Sequence, residues 1–238
     1  MQDVEELKSE TSLKAILFDA GDTLFRVRGS VGEVYAAFAQ RHGVRVAASE
    51  IEGRFRIAFR RMPPLAFPGT SEPDLPAREH GWWRDLVAAV FHGQRFADFD
   101  VFFAELFEYF ACAESWELFD DVIPALGALR DRGLRLGIVS NFDGRLLRLC
   151  EGLGIAHHFD AIVMSGRAGA AKPDPRIFMA ALQRLGVGVS EALHVGDSEK
   201  EDLAGARACG LHALLLRRDG TCTSVDSIRD IRVLPERL

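Results

Sequence analysis

Residues Lys14 to Leu24 read KAILFDAGDTL, and their reading decides the fold. The apolar run Ala15-Ile16-Leu17-Phe18 stops abruptly at Asp19, and a glycine-containing turn with Asp22 and Thr23 follows at once. Uninterrupted apolar residues bounded by turn residues predict a strand buried on both faces of a parallel sheet. Ligands gather at the carboxyl ends of such strands. An aspartate delivered there on a sharp turn is therefore placed to meet one.

Outward from this strand the chain has two textures. Beyond residue 118 it alternates strands and helices. Asp120 to Arg132 carries Val122, Ile123, Leu126 and Leu129 at helical spacing and stops at Gly133, a residue suited to the position after a helix. Strands are predicted over 134–139, 161–164, 192–195 and 211–216, with helices over 144–151, 176–185 and 202–209 between them. Such alternation implies right-handed crossovers and an α/β fold built on a doubly wound parallel sheet, to which strand 14–18 belongs. Residues 26–117 instead show helical stretches near 32–42, 49–61, 77–92 and 98–111, no convincing strand, and five prolines (Pro63, Pro64, Pro68, Pro73, Pro76) in one linker. The expected division is a Rossmann-like core of 1–25 and 118–238 and a helical cap of 26–117, inserted after the first core strand and hanging over the strand ends.

Composition narrows the function classes. The chain has 238 residues, 48% of them hydrophobic, and a net charge of −6. An acidic balance argues against nucleic acid, which requires a cationic footprint. No run approaches the ~20 apolar residues of a membrane span, and the start, MQDVEELKSE, is acidic and polar. A soluble, cytoplasmic protein is expected, with its oligomeric state open. Cys112, Cys150, Cys209 and Cys222 are widely spaced without a CxxC pair, which predicts reduced thiols. The seven histidines form no HExxH, and the adjacent His157-His158 suit a loop or edge.

Polar clusters fall where strands end: Asp19 with Asp22-Thr23, Ser140-Asn141, Lys172-Pro173, and Gly196-Asp197 with Glu201-Asp202. In this order LFDAGDTL, IVSN, AKPDPRIF and HVGDSEKED resemble the four motifs of the haloacid dehalogenase superfamily, a group of mainly Mg²⁺-dependent phosphatases. The resemblance implies that Asp19 is a nucleophile forming an aspartyl-phosphate. It implies Mg²⁺ held by the Asp19 carboxylate, the Gly21 carbonyl and the Asp197 carboxylate, since a phosphate dianion needs neutralising before a carboxylate can attack it. Lys172 would be the fixed cation beside Asp19, and Ser140 with the Asn141 backbone N–H would hold phosphoryl oxygens. Thr23 would bond near the nucleophile. Glu201 and Asp202 are candidates to orient metal-bound waters, or are simply first-turn acids favouring a helix N-terminus. The implied partner is a small phosphomonoester.

One feature departs from the superfamily pattern. Its phosphatases read Asp-x-Asp-Gly-Thr, with an acid/base aspartate two residues after the nucleophile, whereas this chain reads Asp19-Ala20-Gly21-Asp22-Thr23. A backbone carbonyl at Gly21 can still meet a metal, but the side chain that protonates the leaving alkoxide is gone. General acid–base catalysis typically contributes about 10²–10⁴-fold. Asp22 swinging inward, a cap residue, a water or a good leaving group could substitute. The alternatives are a catalytically weak or silent member that binds a ligand or protein, and a 2-haloacid dehalogenase. A phosphonatase would need a cap lysine, and Lys8, Lys14, Lys172 and Lys200 all lie outside 26–117. Arg26 and Arg28 with Arg54, Arg56, Arg60 and Arg61 form either a cationic lid or a solvated face. Trp82-Trp83 and the phenylalanines of 99–110 suit lid core or an association surface.

Overall fold

The computed structural model describes residues 12–221 and 224–237; the polar N-terminal segment with Lys8, and Cys222, lie outside them. Strand β1 is Ala15–Phe18, followed by β2 Phe25–Val27. Helices α1 Val31–Arg41, α2 Ala48–Arg61, α3 Leu75–Val90 and α4 Phe99–Tyr109 come next. The chain returns through β3 Trp116–Leu118, α5 Val122–Asp131, β4 Arg135–Ser140, α6 Arg145–Gly152 and β5 Ala161–Met164. It ends with α7 Ser165–Ala168, α8 Pro175–Leu185, β6 Ala192–Gly196, α9 Gly205–Ala208, β7 His212–Leu216, β8 Ser227–Ile228 and α10 Leu234–Arg237.

The main sheet runs β5-β4-β1-β6-β7-β8, parallel throughout, with β1 near its middle. Side chains alternate across it, as strand geometry requires. Ile16 and Phe18 join Leu126, Leu129, Leu136, Ile138 and Leu146 on one face. Ala15 and Leu17 join Ile177, Phe178, Leu182 and Leu185 on the other. Helices therefore cover both faces, the doubly wound arrangement that the apolar strand runs predict. Helix α8 shows how local sequence sets the boundaries. Asp174 caps it by accepting from the Arg176 N–H at 2.9 Å, Pro175 opens it, and Gly186 closes it at φ 63°.

Helices α1 to α4 build a separate core from Tyr35, Phe38, Ile51, Trp82, Leu86, Phe102, Phe103 and Leu106. The aromatic residues of this region are thus mainly interior. The arginines of α2 resolve toward the solvated face: Arg54 pairs with Glu50 at 2.6 Å and Arg56 with Glu52 at 3.3 Å, one turn apart on their own helix. Arg26 and Arg28 pair with Glu117.

The structure corrects the expectation that residues 26–117 hold no strand. Strands β2 and β3 pair antiparallel, Phe25 opposite Leu118 and Val27 opposite Trp116, where the chain enters and leaves the helical region. Each is three residues long and finds its partner about ninety positions away, so no local periodicity marks it. The helix predicted over 202–209 is also different: a π-helical turn over Glu199–Ala204 precedes the short α9. His157 and His158 lie in a 3₁₀ turn, and Cys112, Cys150 and Cys209 are free thiols, as the sequence suggests. No helix among the described residues is long and apolar enough to cross a membrane.

Leu17 is fully buried at the centre of the sheet. Leu17→Ala is expected to lower the unfolding free energy by about 2–5 kcal/mol, measured as a shifted denaturant midpoint at unchanged slope.

Candidate active site

Parallel register brings the strand ends together. Phe18 is level with Ile138 of β4 on one side and with Val195 of β6 on the other. One residue on, the Asp19 N–H donates to the Val195 carbonyl at 2.9 Å, so the aspartate leaves the sheet beside Gly196 and Asp197. The chain then turns tightly. The N–H groups of Thr23, Leu24 and Phe25 all converge on the Ala20 carbonyl at 2.8–3.3 Å. No hydrogen bond reaches the Gly21 carbonyl among the described residues. Asp22 occupies the left-handed region at φ 54°, which Asp tolerates better than most residues, and its side chain is exposed. Thr23 is buried, and its hydroxyl lies 3.5 Å from Asp197 Oδ1, a long contact.

Lys172 is the organising cation. Its side chain is 1% exposed, and its Nζ lies 2.6 Å from both Asp19 Oδ1 and Asp202 Oδ1. The Asn141 side chain holds the Lys172 backbone at both ends: Oδ1 accepts from the Lys172 N–H at 2.7 Å, and Nδ2 donates to its carbonyl at 3.0 Å. Asn141 Nδ2 also reaches Glu201 Oε2 at 3.2 Å. Ser140 is the buried last residue of β4, next to β1 in the sheet.

Asp202 is engaged on every side. Oδ1 accepts from Lys172 and contacts His194 Nε2 at 2.8 Å, while Oδ2 accepts from the Ser198 N–H at 2.9 Å. Its carboxylate lies across Gly196, where an added Cβ would stand 2.2 Å from Asp202 Cγ. Only glycine permits that approach. The π-helical turn begins with Ser198, whose hydroxyl accepts from the Glu201 N–H at 3.2 Å.

Electrostatics follow from burial and crowding. Burial alone would lower the Lys172 pKa, but the Asp19 and Asp202 carboxylates hold it above the usual lysine range. Burial would raise Asp202, yet Lys172 and His194 keep its carboxyl well below the usual range. Asp197 is pushed up to about 7, first by burial and then by Asp19, Asp202 and Asp22. Asp22 keeps surface in solvent, yet the atoms packed round its carboxyl partly desolvate it and raise its pKa, with Asp19 adding to the effect; burial likewise raises Glu201.

One carboxylate oxygen each from Asp19, Asp197 and Asp202 lies within 4.8 Å of the others. Hard oxygen donors around concentrated negative charge suit a small divalent cation such as Mg²⁺. Asp202 Oδ1 already meets both Lys172 and His194, so Asp19 and Asp197 offer the less engaged carboxylate oxygens, and the Gly21 carbonyl accepts no hydrogen bond among the described residues. The residues present fit the ion.

Thus Asp19, Lys172, Asp197, Asp202, Asn141, Glu201 and Thr23 converge, with Gly21 and Ser140 at the adjoining strand ends, while Asp22 stands at the exposed lip. Two side chains escaped the sequence reading. His194 is a fully buried polar residue inside the apolar strand ALHVG, a break in pattern that could have marked it. Arg218 donates to the Thr23 carbonyl through Nε at 3.1 Å and Nη2 at 2.5 Å, lies 3.7 Å over the Phe119 ring, and pairs with Asp121 at 3.1 Å. Nothing local in the sequence links positions 23 and 218.

A family model described as haloacid dehalogenase-like hydrolase matches residues 13–210. The chain belongs to that family and is a hydrolase. It is 39% identical over 207 residues to haloacid dehalogenase-like hydrolase domain-containing protein 3 of Bos taurus, covering 86% of this chain and 82% of the relative. It is 30% identical to a phosphoserine phosphatase of Thermus thermophilus, covering 93% and 95% of the two. Among solved structures, a phosphatase of the same superfamily from Thermococcus onnurineus superposes with TM-score 0.67 at 25% identity, covering 94% of this chain and 97% of the other.

The raised Asp197 has a measurable signature. Its folded pKa of about 7 exceeds the ordinary 3.8, so the folded state alone retains the proton between these values. Stability therefore falls as pH rises through that window, and the penalty is complete above it. In metal-free protein Asp197→Asn is expected to raise the melting temperature, by about 2–4 °C for each kcal/mol recovered. The gain should grow between about pH 4 and 7 and level off above; a difference independent of pH would contradict the assignment.

Proposed function

We propose that the protein is a Mg²⁺-dependent phosphatase acting on a small phosphomonoester, with Asp19 as its nucleophile. The observation that carries this reading is the placement of the Asp19 carboxylate 2.6 Å from the buried Lys172 ammonium, with Asp197 beside it. A nucleophilic carboxylate must meet a phosphoryl dianion, and fixed positive charge is what allows that approach. In this reading Asp19, the Gly21 carbonyl and Asp197 hold the metal, whose charge would neutralise the phosphoryl oxygens and orient them. Ser140 and the Asn141 backbone N–H bind those oxygens. Lys172, held beside Asp19, would offset the same charge. Residues 26–117 act as the cap that covers the strand ends and excludes water, with β2 and β3 as its paired hinge strands.

The chemistry runs in two displacements. An Asp19 carboxylate oxygen bonds to phosphorus as the P–O ester bond breaks, leaving an aspartyl-phosphate and an alkoxide that takes up a proton. Water then attacks the phosphorus, inorganic phosphate departs, and the Asp19 carboxylate is regenerated. Asp22 is the acid that the turn still carries, and its raised pKa favours the protonated form needed to donate. From the exposed lip it serves less directly than a carboxyl at position 21 would. Turnover is therefore expected to favour esters with good leaving groups. The same crowd of carboxylates disfavours metal-free attack on a 2-haloacid, because that substrate brings a further negative charge.

Asp19→Asn is expected to abolish hydrolysis of an activated phosphate ester, and EDTA to do the same reversibly, with Mg²⁺ restoring the rate. Turnover unaffected by either would refute the reading. The missing acid gives a second test. A Cβ at Gly21 would meet nothing within 4 Å, so the backbone admits a side chain in Gly21→Asp. It is expected to raise kcat toward alkyl phosphates by about 10-fold or more, a part of the 10²–10⁴-fold that general acid catalysis typically contributes. The rate on p-nitrophenyl phosphate should change little. Asp22→Asn should lower the alkyl phosphate rate and spare the nitrophenyl one.

A further inference from the structure

His194 has no part in the chemistry above, yet it is fully buried and bonded into the charge network that serves Asp19. Its neighbours in the strand, Ala192, Leu193 and Val195, are apolar, and its ring lies edge-on to Phe178 at 5.1 Å. A leucine would suit such a site. Instead the chain places an imidazole there whose Nδ1 has no hydrogen-bond partner among the described residues. A buried polar atom without a partner is costly, and its retention calls for an explanation. The other ring nitrogen supplies one. Nε2 lies 2.8 Å from Asp202 Oδ1, the same oxygen that accepts from Lys172 at 2.6 Å. Lys172 in turn lies 2.6 Å from Asp19.

We infer that His194 is a positioning residue that fixes Lys172 against the nucleophile by occupying the second acceptor site on Asp202 Oδ1. The inference rests on the reading of Asp19 as nucleophile. Each carboxylate oxygen accepts about two strong hydrogen bonds. With the Ser198 N–H on Oδ2 and His194 on Oδ1, the Asp202 carboxylate cannot rotate, and one site on Oδ1 remains for Lys172. Without His194, Oδ1 has a vacant acceptor site and the carboxylate loses one of its fixed bonds. The released carboxylate can then turn and draw the ammonium with it, away from Asp19. A displacement of about 1 Å can cost on the order of 10²-fold in rate. The contact also requires a proton on Nε2, because the Asp202 carboxylate has none to give.

Two measurements test this. In metal-free protein, long-range ¹H–¹⁵N correlation spectra report the protonation of each ring nitrogen; a protonated Nε2 is expected, and an unprotonated Nε2 overturns the proposal whatever the activity. In steady-state kinetics on p-nitrophenyl phosphate with Mg²⁺, His194→Leu is expected to lower kcat by about 10–100-fold with KM changed less than about 3-fold. His194→Gln, whose amide reaches the Nε2 position, is expected to recover most of the loss. Wild-type kcat in His194→Leu overturns the proposal, as does a Gln variant that melts like wild type but is as slow as Leu. Should the Leu variant fail to fold, the wild-type tautomer and the Gln kinetics decide. Full activity in Asp19→Asn would signal failure of the nucleophile reading instead, leaving the spectroscopic result intact.

Discussion

The ammonium of Lys172, sealed between Asp19 and Asp202, is the interaction on which the rest of the site depends. A buried cation is tolerable only with close opposite charge, and removing one partner of a buried pair typically costs ~3–5 kcal/mol. Each neighbouring element contributes to keeping that cation where it is. Asn141 grips its backbone on both sides, Gly196 gives Asp202 space to lie across the strand end, and Ser198 and His194 hold Asp202 in turn. The acidic cluster carries more negative charge than one lysine offsets. Burial first and this excess second raise the Asp197 carboxyl to about 7.

The helical region seats itself on the same loop that docks the lysine. Beyond Asn141, Asp143 accepts from Trp83 Nε1 at 2.6 Å and pairs with Arg145 at 2.6 Å. The Arg145 guanidinium lies 4.0 Å over the Phe107 ring and donates to the Phe107 carbonyl. Glu79 accepts from the Gly144 N–H at 3.1 Å, with its carboxyl raised by burial. A segment of five residues, Asn141 to Arg145, therefore links the helices above the sheet to the cation below. This buried, charged contact would expose unpaired groups if the two parts separated.

Much of this was legible from residue types in order. Buried strands read as apolar runs because a parallel sheet covered on both faces needs no polar alternation. The strand-end residues read as chemistry because aspartate, lysine and glycine there have few structural reasons to recur together. Hidden features were those whose partners lie far along the chain. Strands β2 and β3 are defined only by each other, and Arg218 meets Thr23 across nearly two hundred residues. The Asn141 side chain clamps the Lys172 segment, a contact between positions 141 and 172 that no local pattern marks.

By itself the sequence determined the layered fold, the position of Asp19 at the end of a strand buried on both faces, and the loss of a carboxyl at position 21. These follow from local pattern, since apolar periodicity and turn chemistry are properties of neighbouring residues. The tertiary structure decided which carboxylates share Lys172, that Asp202 Oδ1 is divided between Lys172 and His194, and that Asp197 joins Asp19 and Asp202 in one acidic cluster. Hydrogen-bond capacity and charge crowding depend on distances between strand ends, and those distances exist only once the sheet has set its register.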